Sequence, residues 1–101
     1  MNYKSMITQK AQELFELYPI YKEVYVTAES LTAGLIGASI VEIPGSSAYF
    51  DRGFITYSNE AKTQLLGVPT DVLKQHGAVS KQTVLHMARG ARKSANSSIA
   101  V

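Results

Sequence analysis

The apolar run Val24-Tyr25-Val26-Thr27 breaks into a polar corner, Ala28-Glu29-Ser30-Leu31-Thr32, and resumes as the small-residue run AGLIGASI. No other stretch restricts the fold as much. Branched and aromatic residues favour a strand, and small residues let a helix lie close on a sheet. The spacing predicts a strand over 22–28 and a helix over 32–42. A strand feeding directly into a helix is the unit of α/β layers. Glu29, Ser30 and Thr32 then fall at the junction, where unpaired backbone N–H groups face outward. A serine there suits either a helix cap or a nucleophile beside an oxyanion site. A second polar knot, Tyr57-Ser58-Asn59-Glu60-Ala61-Lys62, follows another apolar run.

The flanking segments fit the same class. Residues 5–18 carry Ile7, Ala11, Leu14, Phe15 and Tyr18 on one helical face, and Pro19 is expected to end that helix. Ile43-Pro44-Gly45-Ser46-Ser47 reads as a turn, and 50–57 as a strand with Gly53 as its soft point. Ser58 or Asn59 can cap a short helix closing at Gly67. Pro69-Thr70-Asp71 opens another, ending near His76-Gly77. Ser80 caps a longer helix to about Ser94, with Val84, Met87, Ala88 and Ala91 as its apolar stripe. Ser98 to Val101 reads as the start of a further strand. The predicted architecture is α/β, three layers in α/β/α order, with a mixed or parallel sheet that is incomplete at its C-terminal end. A short last strand leaves an unpaired edge, which predicts a homo-oligomer.

With 101 residues the chain is expected to be a single domain with one modest core. It has no cysteine, so disulfides, thiolate catalysis and cysteine-bound zinc are excluded. His76 and His86 match no zinc spacing, so no metal is expected. No Walker or Gly-x-Gly-x-x-Gly sequence is present. The N-terminus lacks the apolar core of a secretion signal, and no apolar run is long enough to span a bilayer; a cytoplasmic location is expected. The net charge of +2 leans weakly toward anionic partners. Lys81, Arg89, Arg92 and Lys93 read as a solvated face, so nucleic-acid binding is not expected.

The segments AESLTAGLIGASI, IPGSSAYFDRGFITYSNEAKTQLLGV, LKQHGAVSKQTVLHMARGAR and the closing SIAV resemble, in order and spacing, the C-terminal domain of the competence/damage-inducible CinA family. Two positions depart from that family's pattern: Leu31 stands where cysteine is usual, and Ala33 where glycine is usual. The family pattern also continues past the last strand into a Thr-Gly-x-Ala-Gly-Pro loop. The chain is therefore expected to be either part of that domain or a member that completes its sheet with a partner.

The resemblance implies hydrolysis of the amide of nicotinamide mononucleotide to nicotinic acid mononucleotide and ammonia, with no cofactor and a phosphorylated small molecule as substrate. It maps the family's serine onto Ser30, its tyrosine onto Tyr57 and its lysine onto Lys62. Amide hydrolysis needs a nucleophile, proton transfer and charge stabilisation. Ser30 would attack. Lys62 would act as base if burial strips water from its ammonium, and Tyr57 would relay or donate a proton. Backbone N–H groups of Thr32, Ala33 and Gly34 would hold the oxyanion. Thr32 would bind phosphate or cap the helix. The Ser46 and Ser47 N–H groups would touch ligand or simply turn the chain. Glu29 would make a structural hydrogen bond or orient Lys62. The competing reading is a non-catalytic binding or assembly domain on the same fold.

Overall fold

The computed structural model describes residues 2–101. Asn2 caps α1 (Tyr3–Tyr21) by accepting the Ser5 N–H at 2.8 Å. Pro19 does not end this helix. A proline forfeits only its own N–H bond, and here the loss falls in the last turn. The chain turns on until Lys22, in the left-handed region at φ 57°, returns its N–H to the Tyr18 carbonyl. Of the expected α1 stripe, Ala11 is buried and Leu14 and Tyr18 are half-buried, but Ile7 and Phe15 stay exposed.

Three strands follow: β1 (Tyr25–Glu29), β2 (Phe50–Ile55) and β3 (Ile99–Ala100). They run in the order β2-β1-β3, and both pairings are parallel. The register places Tyr25 beside Phe50 at one end and Glu29 beside Ile55 at the other. Gly53 sits opposite Thr27, and a Cβ there would collide with the Thr27 hydroxyl. The expected soft point is thus a place where two strands approach closely.

Helices cover both faces. On one lie α3 (Asn59–Leu66), α4 (Thr70–His76) and α5 (Lys81–Ser94). Val26, Leu66, Val68, Leu73, Met87 and Ala91 form the core there, with Ala28, Phe54, Ala95 and Ala100 against it. Ser58 and Ser80 cap α3 and α5 by accepting the Ala61 and Thr83 N–H groups. Asn59 is the first helical residue, not the cap. On the other face α2 (Leu35–Val41) packs on the sheet, with α1 beside it. Gly37 is buried, and a Cβ there would stand 3.3 Å from the Phe50 ring. Tyr49, 1% exposed, stacks between Tyr18 and Tyr25 at centroid distances of 5.7 and 6.3 Å.

The α2 helix begins three residues later than the spacing predicts. Residues 30–34 form two consecutive tight turns, closed by Ala33 N–H to Ser30 O (3.1 Å) and Leu35 N–H to Thr32 O (3.0 Å). Ala33 has φ 51° and Gly34 φ 94°. A left-handed residue with a Cβ costs about 1–2 kcal/mol. That geometry explains why glycine suits position 33. Replacing Ala33 with glycine is expected to raise stability by about 1 kcal/mol, a gain in Tm of roughly 4–8 °C. Thermal melts of the two proteins check this; an unchanged or lower Tm would show that the backbone at 33 is not strained.

Candidate active site

Parallel strands bring their carboxyl ends to one edge of the sheet, and the crevice beyond that edge is the usual ligand position in such folds. Here β1 ends at Glu29 and delivers Ser30, while β2 delivers Thr56 and Tyr57. The Thr56 N–H bonds the Glu29 carbonyl at 2.8 Å, so the two strand ends are fastened together. A cleft of about 780 Å³ opens past them. Glu29, Ser30, Leu31 and Thr32 line one side of it, and Tyr57 and Lys62 another. The third side is the loop before α5 and its first turns: Ala78 to Lys81, Val84 and Met87.

Ser30 is half-buried, and its hydroxyl makes no hydrogen bond among the described residues. It is not the α2 cap. That work falls to Glu29, 2% exposed, whose carboxylate accepts Thr32 Oγ1 (2.8 Å), Ile36 N–H (2.9 Å) and Gly37 N–H (3.0 Å). Burial pushes the Glu29 carboxyl upward. Its hydrogen bonds to the Gly37 and Ile36 N–H groups and to Thr32 outweigh burial and hold it below the usual glutamate value. The Thr27 hydroxyl adds to the same pull, although it lacks a partner of full hydrogen-bond geometry. Because the folded-state value is the lower one, ionised Glu29 contributes stability at pH above the ordinary glutamate value. That contribution is lost as pH falls through the folded value.

Lys62, 1% exposed, sits on the second turn of α3 and donates from Nζ to the Tyr57 carbonyl at 2.9 Å. No carboxylate pairs with it among the described residues, and Glu29 does not orient it. Tyr57 is 76% exposed, so its ring stands at the cleft rim while its carbonyl holds Lys62 inside. Leu31, 81% exposed, also lies at the rim and does not fill the cleft floor.

Four expected ligand positions move elsewhere. Ser46 and Ser47 form a single 3₁₀ turn with Ala48 just before β2. In a parallel sheet that is the edge opposite the cleft, and Ser46 is buried there. Ala33 and Gly34 carry the second tight turn and do not line the cleft; Gly34 faces the Ile55 side chain. The Ala33 N–H is already spent on Ser30 O. Among the described residues, the Ser30, Leu31 and Thr32 N–H groups are the cleft-side donors of this segment left without partners.

Sequence reasoning missed the third wall. Ser80 was legible only as a helix cap, and Val84 only as part of a core stripe. Lys81 stood among the basic residues of a solvated face, yet it lies at the cleft, about two helical turns from Arg89. No local signal marks these residues, because only the packing of α5 on β1 brings them there.

Comparison with known proteins fits this arrangement. Residues 7–101 match the family model described as the CinA C-terminal domain. The nicotinamide-nucleotide amidohydrolase PncC of Escherichia coli strain K12 is 45% identical over 97 residues, covering 96% of this chain and 59% of that protein. The PncC of Enterobacter agglomerans is 57% identical over 74 residues, 73% of this chain and 45% of that one. The crystal structure of a competence/damage inducible protein from Agrobacterium tumefaciens superposes with a TM-score of 0.90 at 45% identity, covering 93% of this chain and 57% of its own. The chain thus spans less than two thirds of the length of each relative. No described helix is long and apolar enough to cross a membrane. A matched family model over nearly the whole chain, and the same fold in a relative of known structure, establish that the chain belongs to the CinA C-terminal domain family.

Proposed function

We propose that this chain carries the catalytic serine, tyrosine and lysine of a nicotinamide-nucleotide amidohydrolase, acting within a protein as long as its relatives. The observation that carries this reading is the convergence of Ser30, Tyr57 and Lys62 on one cleft at the carboxyl ends of β1 and β2. In this reading Ser30 Oγ attacks the carboxamide carbon, and Lys62 Nζ serves as the base that accepts the hydroxyl proton. The oxyanion is met by the Leu31 and Thr32 N–H groups, the former being the residue after the nucleophile, as in other serine hydrolases. The C–N bond breaks as the nitrogen takes a proton, directly or through Tyr57, and leaves as ammonia. Water then cleaves the acyl-serine ester to release the carboxylate.

The lining also suits a phosphorylated substrate. Lys81 adds a cation to it beyond the catalytic lysine, and both oxygens of its one acid, Glu29, are occupied by protein donors. The exposed Leu31, Tyr57 and Val79 at the rim offer apolar surface to an aromatic ring.

The test is ammonia release by the full-length protein from nicotinamide mononucleotide, nicotinamide riboside and nicotinamide. Turnover is expected with the mononucleotide and not at a comparable rate with the two unphosphorylated compounds. Lys62→Arg and Lys62→Met are each expected to lower kcat by about 10²–10⁴-fold, since neither side chain can accept the proton. Mononucleotide that binds without releasing ammonia would replace this reading with that of a binding domain.

A further inference from the structure

The residue before the serine makes more hydrogen bonds than any other side chain lining the cleft. The Glu29 carboxylate accepts from three groups: the Thr32 hydroxyl inside the double turn, and the Ile36 and Gly37 N–H groups in the first turn of α2 beyond it. Its main-chain carbonyl accepts the Thr56 N–H. The next residue, Tyr57, holds Lys62 Nζ through its own carbonyl. Glu29 is thus bonded to the serine corner through its side chain and to the lysine-bearing segment through its backbone. The double turn has little else to hold it. It lacks a helical ladder, it has one hydrogen bond per turn, and Ala33 sits in a left-handed conformation that a Cβ disfavours.

We propose that Glu29 is a positioning residue for Ser30: its carboxylate clamps the strained turns of residues 30–34 so that the serine hydroxyl and the Leu31 and Thr32 N–H groups face the cleft together. The proposal rests on the amidohydrolase reading for its kinetic consequence, but its structural content is separate from that reading. Both oxygens are needed as acceptors. A glutamine has one acceptor oxygen and would turn its NH₂ toward a backbone N–H, donor against donor. An aspartate is one methylene shorter and cannot span the same groups from the end of β1. The clamp works against the strain at Ala33, so a glycine at 33 should lessen the need for it.

The experiment compares Glu29→Gln, Glu29→Asp, Ala33→Gly and the double variant Glu29→Gln/Ala33→Gly in the full-length protein. Two readouts are taken: amide hydrogen exchange across the chain, and kcat and KM for ammonia release from nicotinamide mononucleotide. Glu29→Gln is expected to speed exchange of residues 31–37 while α5 and β1 keep their protection. It should lower kcat by about 10²-fold, the scale of an ångström-sized misplacement, with KM changed less than about threefold. Glu29→Asp should not restore kcat, and Ala33→Gly should restore part of it in the double variant. Exchange at 31–37 that is unchanged in Glu29→Gln would overturn the clamp, whatever the activity. So would exchange raised evenly over the whole chain, which marks ordinary destabilisation. If the parent protein releases no ammonia, the amidohydrolase reading fails and exchange alone decides the clamp. If the parent is active and Glu29→Gln keeps its full kcat, the clamp does not serve Ser30.

Discussion

Replacing Ser30 with alanine is expected to abolish ammonia release from nicotinamide mononucleotide, with kcat falling on the order of 10⁴-fold or more. Stability should stay within about 0.5 kcal/mol of the parent, as for a side chain with no structural partner. The two parts of this expectation have separate causes. The first follows from Ser30 being the hydroxyl that the β1–α2 corner presents to a cleft shared with Lys62 and Tyr57. The second follows from the free state of that hydroxyl and from Glu29 having taken over the capping of α2. A serine serving as a cap would behave oppositely, costing about 0.5–2 kcal/mol on truncation. Steady-state ammonia assays and thermal melts on the same preparations separate the cases. A lower Tm with activity retained would return Ser30 to a structural role and remove it from the chemistry.

The largest effect on folding is expected at Gly90, on α5. Its α-carbon lies against the last turn of α3. A Cβ built there overlaps the Leu66 carbonyl oxygen and comes within 2.7 Å of the Leu66 carbonyl carbon and 3.0 Å of its Cα. These are backbone atoms, so no rotamer change relieves the overlap; α3 and α5 must separate. The helix they would open covers the core of Val26, Leu66, Val68, Met87 and Ala91. Overpacking of this kind costs about 1–3 kcal/mol or more, and alanine returns about 1 kcal/mol of helix propensity. Gly90→Ala is therefore expected to lose about 2 kcal/mol, lowering Tm by roughly 10 °C. Gly90→Val, with a branched Cβ and no such return, should prevent stable folding. Arg89→Ala, one position away and exposed, is the control and should shift Tm little. A Gly90→Ala protein melting with the parent would mean that α3 and α5 do not meet at this distance.

Because α3 carries Lys62 and α5 carries the third cleft wall, a partial separation in Gly90→Ala should also impair the site. That coupling links packing far from the serine to the geometry at it.

Much of this protein was legible in the order of its residues. Strand-forming runs, capping serines at 58 and 80, and closing glycines at 67 and 77 act through neighbours in sequence, so their signals are local. The α/β class followed from them, and so did the serine at a strand–helix corner. Other features depended on contacts between distant segments. Pro19 read as a helix end, yet the helix tolerated one lost bond in its final turn. Residues 32–34 read as helix, yet they form tight turns beside a carboxylate that reaches from Glu29 to Ile36 and Gly37. Lys62 read, by itself, as a solvated lysine; it became buried because the Tyr57 carbonyl and the α3–α5 packing enclosed it. Ser46 and Ser47 could not be placed from sequence, because only the parallel register shows which end of the sheet a loop joins. Residue order determined the elements and the chemical groups they carry, since propensity, capping and turn formation act over a few bonds. The tertiary structure decided which of those groups share a cleft, since that depends on strand order and helix packing between residues far apart in the chain.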